Sequence, residues 1–114
     1  MAQIIKLSDL TYLAPSKGVR AKCVHTNNQT FAFWEIDKNT ALPGHQHPHE
    51  QVTIVTKGEL EITIGKVTQI MKQGMVAVIP SNTEHAARAI TDVELTDVFY
   101  PVREDFKKIG DSPK

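Results

Sequence analysis

Polar and apolar residues alternate with a period of two along much of this chain. Glu59-Leu60-Glu61-Ile62-Thr63-Ile64 is the cleanest run, the pattern of a strand with one buried face. Runs rich in β-branched and aromatic residues predict further strands at Thr30–Ile36, Gln51–Thr56, Val67–Met71, Met75–Ile79, Glu84–Ile90 and Val93–Tyr100. Turn residues separate them: Asn27-Asn28, Pro43-Gly44, Lys57-Gly58, Gly65-Lys66, Gln73-Gly74, Pro80-Ser81-Asn82 and Thr91-Asp92. Helical periodicity is confined to a short turn near Glu104–Ile109, and 110–114 reads as a frayed tail. Many short, evenly punctuated strands predict an all-β sandwich or small barrel, with 1–114 forming one domain.

Composition narrows the setting. The chain has 114 residues, with Lys plus Arg and Asp plus Glu balanced at 13 each. A zero balance offers no electrostatic footprint for nucleic acid or an anionic membrane, so neither is expected as a partner. Cys23 is the single cysteine, which excludes an intrachain disulfide. Met1–Leu10 lacks the basic start and apolar run of a secretory signal, and no stretch approaches the roughly 20 apolar residues of a membrane span. The expectation is a soluble, cytoplasmic protein.

Candidate chemistry concentrates in Gly44-His45-Gln46-His47-Pro48-His49-Glu50-Gln51. On a strand, His45 and His47 at i and i+2 share one face about 7 Å apart along the chain. Two imidazoles so placed can lean onto one metal ion, with further ligands arriving from another strand. Isolated histidines are otherwise surface or hydrogen-bonded core residues, and an exposed turn is the plainer reading. Pro48 cannot donate to a central ladder and marks a break in the strand. In Val93–Phe99, the residues Val93, Leu95, Asp97 and Phe99 share a face. If that face is inward, Asp97 is a carboxylate among apolar neighbours and a candidate proton carrier; if not, it is an edge or turn residue. Arg103 either folds over the barrel mouth, where it would grip a carboxylate bidentately, or pairs with Glu104 or Asp105 at the surface.

Two motifs resemble the cupin superfamily. Gly44, His45, His47, Gln51 and Gly58 match its first motif, and Gly74, Pro80 and His85 its second, over 44–58 and 74–89. The resemblance implies a jelly-roll barrel (a double-stranded β-helix) holding one divalent ion (Zn, Ni, Mn, Fe or Co) on His45, His47, Gln51 and His85. It departs from the pattern at Asn82, Met75 and Ala89, and most consequentially at Gln51, where a Glu is usual. Glu50 is the rival oxygen donor, but it falls on the face opposite His45 and His47. An amide oxygen leaves the ion's charge uncompensated, so the site should be a stronger Lewis acid and favour an anionic ligand.

A narrower resemblance joins His45-Gln46-His47-Pro48-His49-Glu50-Gln51 to Asp97-Val98-Phe99-Tyr100-Pro101-Val102-Arg103-Glu104-Asp105-Phe106. This is similar to the small cupins of pectin and alginate breakdown, which open the ring of 4,5-unsaturated monouronates. It implies that Asp97, Phe99 and Arg103 are catalytic or touch a small anionic, uronate-like substrate. It also implies a homodimer, with an N-terminal strand Gln3–Leu7 added to a neighbour's sheet. Two other readings stay open: a mononuclear metal dioxygenase of the cupin type, and a non-catalytic module that holds a small ligand or metal.

Overall fold

The computed structural model describes residues 2–110. After a 3₁₀ turn at Leu7–Asp9, the strands are β1 (Leu13–Ser16), β2 (Val19–His25), β3 (Thr30–Ile36), β4 (Ala41–His45) and β5 (Glu50–Lys57). There follow β6 (Glu59–Ile64), β7 (Val67–Lys72), β8 (Val76–Ile79), β9 (His85–Ala89), β10 (Val93–Tyr100) and a terminal helix α1 (Glu104–Gly110). They form two antiparallel sheets, ordered β1-β2-β3-β10-β5-β8 and β4-β9-β6-β7. The expected jelly-roll is what the chain adopts. The inner faces meet over a core in which Ala32, Trp34 and Ile36 of β3 and Val93 and Leu95 of β10 face Leu60 and Ile62 of β6. Residues 111–114 of the expected frayed tail lie outside the described residues. No helix among those residues is long and apolar enough to cross a membrane.

The strands at Thr30–Ile36, Glu59–Ile64 and Val93–Tyr100 have the bounds their alternation predicts. Three strands were not anticipated: β1, β2 and β4. β1 and β4 contain Pro15 and Pro43, and Pro43-Gly44 reads as a turn signal. Both are edge strands, where a missing N–H faces away from the ladder and proline is tolerated. The register shifts within each, between Leu13 and Ser16 and between Leu42 and His45. Within the single chain, residues 2–6 make no ladder and Ile4 is 100% exposed; a Gln3–Leu7 strand would need the sheet of a neighbouring copy as its partner.

Gly58 joins β5 to β6 at φ +84, and a Cβ there would press on the Asp92 carbonyl oxygen and lie 2.6 Å from Thr91 Oγ1. Only glycine fits that crossing. The outer face of the six-stranded sheet carries two apolar rows. Ladder pairing aligns Val24, Phe31, Val98, Val52 and Val78 in one, and Phe33, Thr96, Ile54 and Val76 in the next. Val78 and Val76 are 64% and 56% exposed.

Candidate metal centre

β4 stops at His45, and the chain turns through Gln46–His49 before entering β5. His45 and His47 therefore do not share a strand face as expected, because Pro48 and the turn interrupt the ladder. The turn is pinned instead to the 80–83 loop, where Asn82 N–H donates to the His47 carbonyl at 2.8 Å. His85 opens β9 directly opposite His45. The outcome is a cluster in which His45, His47 and His85 each bring a ring nitrogen within 4.8 Å of the others. His49 stays outside it.

Each of the three rings is oriented by a main-chain carbonyl. Nδ1 of His45 lies 3.1 Å from Pro43 O, Nδ1 of His47 lies 3.0 Å from His49 O, and Nδ1 of His85 lies 2.9 Å from Thr83 O. A carbonyl only accepts, so each Nδ1 carries the proton and each Nε2 presents a lone pair. Nε2 of His85 is buried with no hydrogen-bond partner. Burial is the main force holding the His47 and His85 rings below the ordinary histidine range, with the Arg103 charge adding to it. Both therefore favour the neutral form a metal needs.

Gln51 is 7% exposed on the inner face of β5, while Glu50 points outward, as parity predicts. Its Oε1 sits 3.0 Å from His47 Nε2. Two lone pairs facing each other at that distance repel unless a cation lies between them. Neighbouring donors around an ion with bonds of about 2.1 Å lie roughly 3–3.4 Å apart, so this contact is near that spacing. The orphaned His85 nitrogen and this paired acceptor contact both fit a bound divalent cation. Imidazole nitrogens with an amide oxygen suit Zn, Ni, Mn, Fe or Co.

Asp97 faces inward, 8% exposed, opposite Thr53 in the β5–β10 ladder. Its Oδ1 accepts from Thr53 Oγ1 at 2.6 Å and from Gln51 Nε2 at 3.2 Å. Burial pushes its pKa up to about 6, opposed by these bonds, by the Trp34 indole and by the Arg103 charge. The indole approaches without reaching hydrogen-bond geometry, since Trp34 Nε1 is buried without a partner.

Arg103 does both things the sequence allowed. Its guanidinium lines the cavity, 4.7 Å from the Phe99 ring and 4.0 Å from the Phe106 ring. The Nε and Nη2 edge is already held by Asp105 at 3.0 and 2.8 Å. A bidentate grip on a ligand through that edge is therefore not available, and Nη1 is the donor that Asp105 leaves to a ligand. Phe99 closes the wall between His47 and Phe106, with ring centroids 5.7 and 5.5 Å away. Thr53 and Trp34 were missed as site residues. Their places on the inner faces of β5 and β3 follow from the same alternation that placed Gln51.

These groups open into one cavity of about 340 Å³ between the sheets. His45, His85, Gln51, Asp97 and Arg103 mark its polar part; Leu42, Leu60, Ile62 and Leu95 make much of the rest apolar.

The pattern of the Cupin domain family matches residues 32–99. A Bacillus subtilis protein named H2HPP isomerase is 39% identical over 61 residues, covering 53% of this chain and 26% of that one. This chain thus spans about a quarter of that relative. Among solved structures, KdgF from Halomonas sp. superposes with a TM-score of 0.87 at 24% identity, covering 93% of this chain and 99% of that one. An RmlC-like cupin from Shewanella frigidimarina gives 0.87 at 23% identity, covering 93% and 96%. At these identities the two structures establish the shared fold.

Proposed function

This chain belongs to the cupin domain family, and from that premise we propose that it is a metal-dependent enzyme converting 4,5-unsaturated monouronates to their open-chain keto forms. The observation that carries the reading is the convergence of the His45, His47 and His85 rings and the Gln51 amide oxygen at the edge of a cavity that a buried Asp97 and Arg103 also line. The likeness to KdgF supports the choice of substrate.

His45, His47, His85 and Gln51 would hold the ion, which when bound supplies Lewis-acid polarisation of a substrate oxygen. Arg103 would attract the carboxylate through its Nη1 side and fix the sugar ring against Phe99. Ring opening breaks the C1–O bond; the C1 hydroxyl loses a proton and the ring oxygen remains on C5 as an enol. Asp97 would deliver a proton to C4 as that enol becomes a ketone, so the net change is an isomerisation with no oxidant. A carboxyl with a pKa near 6 can both hold and release a proton close to neutrality.

The test follows loss of the unsaturated uronate's ultraviolet absorbance, since ketonisation removes the C4=C5 double bond. Metal-loaded protein should accelerate that loss without consuming oxygen, and His47→Ala should lack both metal and activity. Decay at the spontaneous rate for galacturonate- and mannuronate-derived substrates would overturn the assignment, and oxygen uptake would move the dioxygenase reading ahead. The apolar lining at Leu42, Leu60 and Ile62 favours a second reading of the same chemistry, isomerisation of a carboxylate with an apolar body. The relative named as an isomerase supports it, and an aryl 2-oxo acid in a tautomer-exchange assay tests it.

The homodimer is proposed on a different surface from the N-terminal strand. A second copy would cover the apolar rows through Val52 and Val78. Of the bordering charges, Arg20 pairs with Glu35 at 2.9 Å and Lys57 with Glu94 at 3.6 Å, while Lys22, which extends the second row beside Phe33, lies over the Tyr12 ring. With zero net charge, two copies do not repel. Light scattering should give twice the chain mass for wild type and the single-chain mass for Val78→Lys.

A further inference from the structure

The Gln51 amide can be oriented from its neighbours alone. The Thr53 hydroxyl has one hydrogen, and it donates that to Asp97 Oδ1 at 2.6 Å. Towards Gln51, then, Thr53 presents a lone pair, and Asp97 presents a carboxylate oxygen. Both neighbours on that side are acceptors, at 3.0 and 3.2 Å. The amide nitrogen must face them, which turns Oε1 towards His47. A flipped amide would set oxygen against a carboxylate and aim an N–H at the histidine lone pairs.

The charge distribution points the same way. His45, His47, His85 and Gln51 are all neutral as donors, yet a divalent ion brings two positive charges. Among the residues lining the cavity, Asp97 is the sole carboxylate. It is buried, and one of its oxygens is spent on the side chain that offers an oxygen to the cluster.

We infer that Asp97 is a positioning residue for the metal centre. It locks Gln51 with its oxygen towards the histidines, and it supplies, one hydrogen bond behind the donor set, the negative charge that a Glu at position 51 would have carried directly. The N–H···⁻O bond also draws electron density towards Oε1, making the amide a better donor. This job uses Oδ1. The other carboxylate oxygen takes neither bond, so the role stands beside the proton transfer assigned to Asp97. The inference rests on the metal reading above.

The test measures metal affinity, not turnover. Stripped protein is titrated with Zn²⁺ and with Ni²⁺ by calorimetry at neutral pH, for wild type, Asp97→Asn and the exchanged pair Gln51→Glu/Asp97→Asn. Asp97→Asn keeps the shape and removes the charge, and its affinity should fall by about ten- to a hundred-fold. The exchanged pair returns the charge to position 51 with an amide behind it, and affinity should recover to within about threefold of wild type. A folding defect in Asp97→Asn would not be repaired by a second buried substitution, so recovery identifies the charge. Asp97→Asn binding as tightly as wild type, or an exchanged pair as weak as Asp97→Asn, overturns the inference and leaves the metal reading intact. Wild type that binds neither ion overturns both. The exchanged pair should stay inactive although it is loaded; activity in it would instead overturn Asp97 as the proton carrier.

Discussion

Arg103 offers the sharpest separation of stability from substrate binding. Its side chain is 12% exposed between Phe99 and Phe106. Each guanidinium–ring contact is worth about 0.5–1 kcal/mol. Phe106 in turn meets Trp34 edge-on, with centroids 6.0 Å apart, so the stack ties α1 to the barrel. The ion pair with Asp105 adds at most about 1 kcal/mol, because the Asp105 side chain is 56% exposed and screened. Arg103→Ala should therefore cost about 2 kcal/mol, a fall in Tm of roughly 10 °C for a domain of this size. Arg103→Lys keeps the charge but loses the planar stack and the fork, and should lie between the two. Thermal unfolding of the metal-free proteins by circular dichroism reads this directly. In the uronate assay Arg103→Ala should raise KM about tenfold or more with kcat little changed, because the grip acts in ground and transition states alike. A Tm within about 2 °C of wild type would refute the packing argument. A lowered kcat at unchanged KM would refute the grip on the carboxylate.

Two glycines with similar backbones should respond differently to alanine. At Gly58 (φ +84) the new methyl meets the Asp92 carbonyl and Thr91, whereas at Gly74 (φ +88) nothing lies within 4 Å. Urea titration should show a loss of about 1–2 kcal/mol at Gly74, from backbone conformation alone, and a larger one at Gly58. Cys23 is pushed up to about 11, chiefly by burial, so it stays a thiol at neutral pH. Iodoacetamide at pH 8 should label it far more slowly in the folded than in the urea-unfolded chain. Because the folded value lies above the unfolded one of about 8.5, its contribution to stability is complete below pH 8.5 and fades as pH rises towards the folded value. Equal stability losses across that range in wild type and Cys23→Ala would count against this.

How much could be read without coordinates depended on whether the information was local. Strand alternation is local, and it located Thr30–Ile36, Glu59–Ile64 and Val93–Tyr100 and set Asp97 and Phe99 on one face; that this face is the inward one was decided by the packing of the two sheets. The spacing of His45, His47, Gln51 and His85 within two motifs carried the candidate cluster. Edge strands β1 and β4 were not legible, because proline is excluded only from a paired ladder and the sequence does not say which side of a strand is paired. The conformation at His47 depends on a loop more than 30 residues away, through the bond from Asn82 to its carbonyl. The ring tautomers depend on carbonyls that meet the imidazoles only once the turns close. Arg103 could be assigned two partners from the sequence; packing decided that Asp105 takes one edge while Phe99 and Phe106 take the faces. The contact between Gln51 and Asp97 spans 46 residues. Periodicity states which face a residue occupies, but only the pairing of β5 with β10 brings an amide and a carboxylate into register, and so decides where the charge of this site resides.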